Sequence, residues 1–135
     1  MYNELSGNED ITVWDLTDSI GNKEIDKAVQ ILDKLLSKGE RPFSLLLTIH
    51  EHLKKLDKCK LAVIQDKDVA EYLALKPNQT FLIQKYKRHS NNYTEEELYN
   101  IIKSFQDLRE LYYHTKEKFD LKLGIKTILQ SIAEK

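Results

Sequence analysis

The chain has 135 residues, 41% hydrophobic and 32% charged, with 21 Lys plus Arg against 22 Asp plus Glu and a formal net charge of −1. That balance excludes a global field drawing the chain to nucleic acid or anionic lipid, and the length suits one domain able to bury roughly two thirds of its unfolded surface. The single cysteine, Cys59, excludes an internal disulfide and fits a reducing compartment; no apolar run approaches the roughly 20 residues of a membrane span, and the polar, acidic start is unlike a secretory signal, so the expected location is the cytoplasm.

Residues 1–10 read as a loose tail or linker remnant, and residues 11–135 as one all-α domain, a compact bundle of five to seven helices. Thr12 opens the first helix. Asp15 stands at capping-box spacing, and Ile11 and Leu16 are placed as a hydrophobic staple. Gly21 is expected to take the left-handed conformation that stops this helix, and Asn22 to cap the next. Ile25, Ala28, Val29, Leu32, Leu35 and Leu36 then recur at helical spacing, up to a stop at Gly39. Pro42 suits the first turn of a third helix, whose expected stripe is Leu46, Ile49, Leu53, Leu56, Val63 and Ile64. Lys60 falls within that stripe, either snorkelling or marking a turn.

Asp66 to Leu75 reads as a short helix through Val69, Ala70 and Leu73, broken at Lys76-Pro77-Asn78 because the residue before proline avoids the helical region. Phe81 to Lys87 resumes a helix with Phe81, Leu82 and Tyr86 as anchors, followed by a loop at Ser90-Asn91-Asn92. Thr94 and Glu97 form a capping box, with Tyr93 stapling to Leu98. Leu98, Ile101, Ile102, Phe105, Leu108 and Tyr112 sustain the long helix that follows, which Lys116-Glu117-Lys118 closes. Asp120 caps a last helix with core positions Leu121, Ile125, Ile128, Leu129 and Ile132. Gly124 inside it costs roughly 1 kcal/mol relative to Ala.

The search for chemistry finds no catalytic, cofactor-binding or metal-ligating set. The four glycines are isolated, so no phosphate-cradling loop exists and ATP hydrolysis by this chain is not expected. His50 and His52, two residues apart, face different sides of one helix and read as partly exposed side chains; Cys59 has no second thiol with which to bind zinc. Glu95-Glu96-Glu97 sits where a helix N-terminus favours carboxylates. Two basic clusters, Lys54-Lys55-Lys58 and Lys85-Lys87-Arg88-His89, read as solvated faces. The alternative reading takes Val69–Leu73 and Phe81–Ile83 as a helix-turn-helix whose second cluster meets phosphates. On the long helix Tyr99, Gln106 and Tyr113 recur every seven residues off the core stripe. Such a row is either a set of ordinary exposed side chains or a protein interface, where tyrosine is enriched.

The order Leu16-Thr17-Asp18-Ser19-Ile20, Gly21-Asn22, Ala28, Leu32, Leu35, Gly39-Glu40, Pro42 resembles the C-terminal collar domain of the delta subunit of bacterial DNA polymerase III. Val69-Ala70-Glu71-Tyr72-Leu73-Ala74-Leu75 with Pro77, and Thr94-Glu95-Glu96-Glu97-Leu98, resemble later stretches of the same family, so the likeness runs from about Val13 to Ile132. Lys54 stands where the family commonly has Arg, and Tyr112 where it commonly has Asp. The resemblance implies a non-enzymatic oligomerisation domain. Its partners would be the matching domains of the gamma/tau and delta-prime subunits, in a five-membered collar supporting the loading of a sliding clamp. It further implies two preceding AAA+ domains in a longer subunit, DNA contact only through the assembled complex, and no membrane, cofactor or small-molecule substrate.

Overall fold

The longest helix, Pro42–Ile64, runs through the middle of the structure and every other helix except Ile25–Ser37 packs against it. A computed structural model describes residues 11–115 and 120–133. Among them are seven α-helices and no strand: α1 (Val13–Gly21), α2 (Ile25–Ser37), α3 (Pro42–Ile64), α4 (Val69–Tyr72), α5 (Leu82–Ser90), α6 (Glu95–Thr115) and α7 (Leu121–Ala133), with a 3₁₀ turn at Pro77–Gln79. The all-α bundle expected from the spacing is therefore present. Residues 1–10 and the Lys116-Glu117-Lys118 stretch lie outside the described residues.

α3 meets α1, α4, α5, α6 and α7, which explains its irregular stripe. A helix covered on several sides buries residues at more than one angular position, and here these include Leu45, Leu46, Ile49, His50, His52, Leu53, Leu56, Cys59 and Ala62. Val63 and Ile64, expected in the core, are instead more than half exposed. The last turn of α3 runs past its neighbours, and the chain turns back there with the Lys67 N–H donating to the Ala62 carbonyl at 2.8 Å. Lys60 snorkels: its ammonium reaches the Ser90 carbonyl at the end of α5, 3.3 Å away. Phe81, expected to anchor α5, is 75% exposed because the helix begins one residue later and buries Tyr86 instead.

The helix starts follow local sequence. Asp15 accepts from the Thr12 N–H at 2.9 Å. The Thr94–Glu97 box closes both ways, Thr94 N–H to Glu97 at 2.8 Å and Glu97 N–H to Thr94 Oγ1 at 3.0 Å. Asp120 accepts from the Leu123 N–H at 3.1 Å.

Four ends, of α1, α2, α3 and α4, adopt the same Schellman turn, with a left-handed residue flanked by paired backbone bonds. Only one uses glycine, Gly39 at φ 102°; the others use Lys23, Asp66 and Ala74 at φ 62°, 56° and 55°. Gly21 and Asn22 thus differ from expectation. Gly21 is the last residue of α1, Asn22 is its C-cap, and Glu24 is the N-cap of α2.

The reason Gly21 is glycine lies across the fold. A Cβ there would overlap the imidazole of His89 on α5. In the same place the end of α1 is tied to the α5–α6 connection. Asn92 donates to the Gly21 carbonyl at 2.8 Å, and the buried Tyr93 hydroxyl donates to the Ile20 carbonyl. Lys23 lies 4.9 Å from the centre of the Tyr93 ring and pairs with Glu97 at 3.0 Å.

His50 and His52, expected to be partly exposed, are both buried, because the sides of α3 that carry them are covered by α6 and α5. His50 stacks on Phe105 and lies 3.3 Å from Arg109. His52 packs against Tyr86 and, edge to face at 5.8 Å, against His89. Burial lowers both of these imidazoles, His52 to about 4; each also lowers with nearby cations while Asp18 opposes the shift.

Three outcomes follow. Gly21→Ala should lose about 1–3 kcal/mol in urea denaturation through overpacking, and much of that should return when His89→Ala is added, as expected of two sites in contact. Ala74→Gly should stabilise by up to about 1 kcal/mol, since an exposed left-handed alanine is replaced by the residue that suits it. The histidines bind protons in the unfolded chain below its pKa near 6.5 but resist them when folded, so stability falls as pH falls from 6.5 towards 4. His52 alone accounts for about 2 kcal/mol between pH 7 and pH 5. Denaturation midpoints and imidazole NMR titrations check this; a flat stability profile over that range would refute it.

Candidate protein-docking surfaces

Among the described residues, no group of three or more His, Cys, Asp or Glu is placed to hold a metal ion. Cys59 is fully buried, and burial pushes its thiol above the ordinary range, which suppresses the thiolate a nucleophile needs. His50, His52 and His89 are buried among packed side chains, and His114 is exposed on α6.

The row predicted from heptad spacing is solvent-facing. Tyr99 is 65% and Tyr113 53% exposed on α6, and Gln106 between them is exposed and donates to Glu110 at 3.1 Å. Lys103 and Glu110 complete a continuous stripe over four turns. The row is not wholly free of the core, because Tyr113 meets the edge of Phe43 at 5.5 Å while Tyr112 stacks on the same ring at 4.9 Å.

Two further surfaces escaped the sequence patterns. An open groove of about 610 Å³ runs between α6 and α7, with Leu108, Leu111, Leu123 and Ile128 in its walls; Leu111 and Leu123 are exposed. A smaller cleft of about 310 Å³ lies between α1, α3 and α5, walled by Val13, Trp14, Leu47 and Tyr86. Trp14 is 61% exposed. It lies roughly opposite Leu16 on a helix of about 100° per residue, and a tryptophan on the polar side was the available signal.

The helix-turn-helix arrangement is absent. Its first helix is a single turn, Val69–Tyr72, and the 3₁₀ turn separates it from α5. α5 turns Tyr86 and His89 into the core, and its Lys85 is held by Asp18 at 2.8 Å. No helix of the structure is long and apolar enough, among the described residues, to cross a membrane.

Comparison with known proteins accords with this surface-only arrangement. The chain is similar in fold to the Bacillus subtilis DNA clamp loader delta protein, with a TM-score of 0.76 and 21% identity over 91% of this chain. It spans about a third of that protein, 36% of its length. No curated protein matches it in sequence. The family model described as the DNA polymerase III delta subunit, C-terminal domain, matches residues 10–129, nearly the whole described structure. The chain belongs to that family, the C-terminal domain of the DNA polymerase III delta subunit.

Proposed function

We propose that this domain is a non-enzymatic assembly module of a clamp loader, docking its helices against the corresponding domains of gamma/tau and delta-prime subunits. The observation that carries the reading is the family match over residues 10–129, on a bundle in which Cys59, His50, His52 and His89 are buried. The exposed stripe Tyr99–Gln106–Tyr113 is our candidate for the docking face. Its aromatic ends supply large contact area at low conformational cost, and the polar residues between them suit the rim of a helix-on-helix interface. Apart from the edge contact of Tyr113 with Phe43, the stripe faces solvent, which leaves it open to a partner.

The domain's part in sliding-clamp loading would be mechanical, holding neighbouring subunits in register, with DNA met only by the assembled complex. It carries no phosphate loop of its own.

Mixing the domain with cognate gamma/tau or delta-prime C-terminal domains should give a co-eluting complex that depends only mildly on salt. Tyr99→Ala should weaken that complex about tenfold or more, the scale of an aromatic hot spot, with almost no change in stability. Tyr113→Ala should weaken it too, and should also lose about 0.5–1.5 kcal/mol of stability through the Phe43 edge contact. Normal binding by both folded variants would place the interface elsewhere. Failure of the unaltered domain to join any cognate partner would overturn the assembly reading.

A further inference from the structure

The cleft beside Trp14 combines two properties rarely left together on a surface. Its walls are aromatic and aliphatic, from Val13, Trp14, Leu47 and Tyr86, and its charged lining residues are Lys55 and Glu51. Glu51 is spent on Lys54 at 3.0 Å, whereas Lys55, and Lys58 a turn further along α3, are exposed and form no ion pair among the described residues. On the other side Lys85 is fixed by Asp18 at 2.8 Å and stands 5.9 Å from the centre of the Trp14 ring. The indole therefore stays at the mouth of the cleft, with a cation at one edge.

Size narrows the occupant. About 310 Å³ receives one or two side chains and not the face of a helix. Charge narrows it further, since Glu51 and Lys85 are each held in an ion pair and the cations left over, Lys55 and Lys58 on the α3 side, favour carboxylates next to whatever enters the cleft.

We propose that the Trp14 cleft is a docking site for an acidic, extended peptide segment of another protein, inserting one large apolar side chain between Trp14 and Tyr86. Lys55 and Lys58 meet the flanking carboxylates. The site shares no residue with the α6 stripe, so it stands apart from the assembly reading. A single anchor with screened ion pairs makes an attachment that is weak, salt-sensitive and readily reversed. That is the kind of contact suited to recruiting a mobile tail.

An array of ten-residue peptides tests this, with frames of Asp/Glu, Ser or Lys around a central Leu, Ile, Phe, Trp or Ala. The domain should be retained on acidic frames with a large apolar centre, about tenfold better than on serine frames, and not on lysine frames or on alanine centres. The best peptide with a non-tryptophan centre should move the emission of Trp14, the chain's single tryptophan, to the blue. Trp14→Ala should abolish retention and Lys55→Glu should weaken it about tenfold, with circular dichroism unchanged, while Tyr99→Ala binds normally. Retention on no acidic frame, equal retention on lysine frames, or retention by folded Trp14→Ala would each overturn the proposal. Lys55 is exposed on α3, so Lys55→Glu remains decisive should the tryptophan variant fail to fold.

Discussion

The contact between the His89 ring and the backbone at Gly21 governs how the two ends of this chain's core meet. α1 can approach α5 that closely only because no Cβ intervenes. Once there, its last carbonyls, which no residue within the helix can satisfy, are met by Asn92 and Tyr93 from the α5–α6 connection. The chain must then turn at once towards α2. It does so at Lys23, whose left-handed backbone is tolerated because its ammonium is engaged by Glu97 and by the Tyr93 ring. Glu97 in turn caps α6. One small residue thus links the start of the longest surface helix to the end of the first helix.

This arrangement also accounts for the buried histidines. α3 is covered on several sides, so the two histidines on its covered sides, His50 and His52, are buried. His52 and His89 occupy the space between α3, α5 and the end of α1 as shaped, neutral rings. Neither nitrogen of His89 has a protein partner, and a buried polar atom left so carries a penalty of about 1–3 kcal/mol. The ring's shape against Gly21 is what the fold obtains in exchange. On the outside, the same enclosure leaves α6 with a full exposed stripe and leaves Trp14 at the edge of a cleft.

Features whose cause is local were legible in the sequence. The Thr94–Glu97 box, the Asp15 cap, the stop at Gly39 and the proline start at Pro42 each need only a few neighbouring residues, and each is present. The exposure of Tyr99, Gln106 and Tyr113 followed from helical phase alone. What could not be read has a distant cause. Lys23, Asp66 and Ala74 carry no mark of a left-handed turn, because the turn is imposed by where the next helix must go. Gly21 looks like a helix stop until His89 is placed beside it. His50 and His52 look exposed until α5 and α6 are laid over α3, and Val63 looks buried until α3 is seen to outrun its cover. The Trp14 cleft needs three helices at once.

Cys59 has a practical bearing of its own. The chain's single thiol lies fully buried on the central helix. An alkylating reagent reaches it only when that helix comes free of its neighbours, so the rate of labelling counts openings of the whole bundle and ignores fraying at its ends. The surface is at the same time free of native cysteine. A cysteine introduced anywhere on α6 or α1 would take a probe by itself, with nothing removed from the core to make way for it.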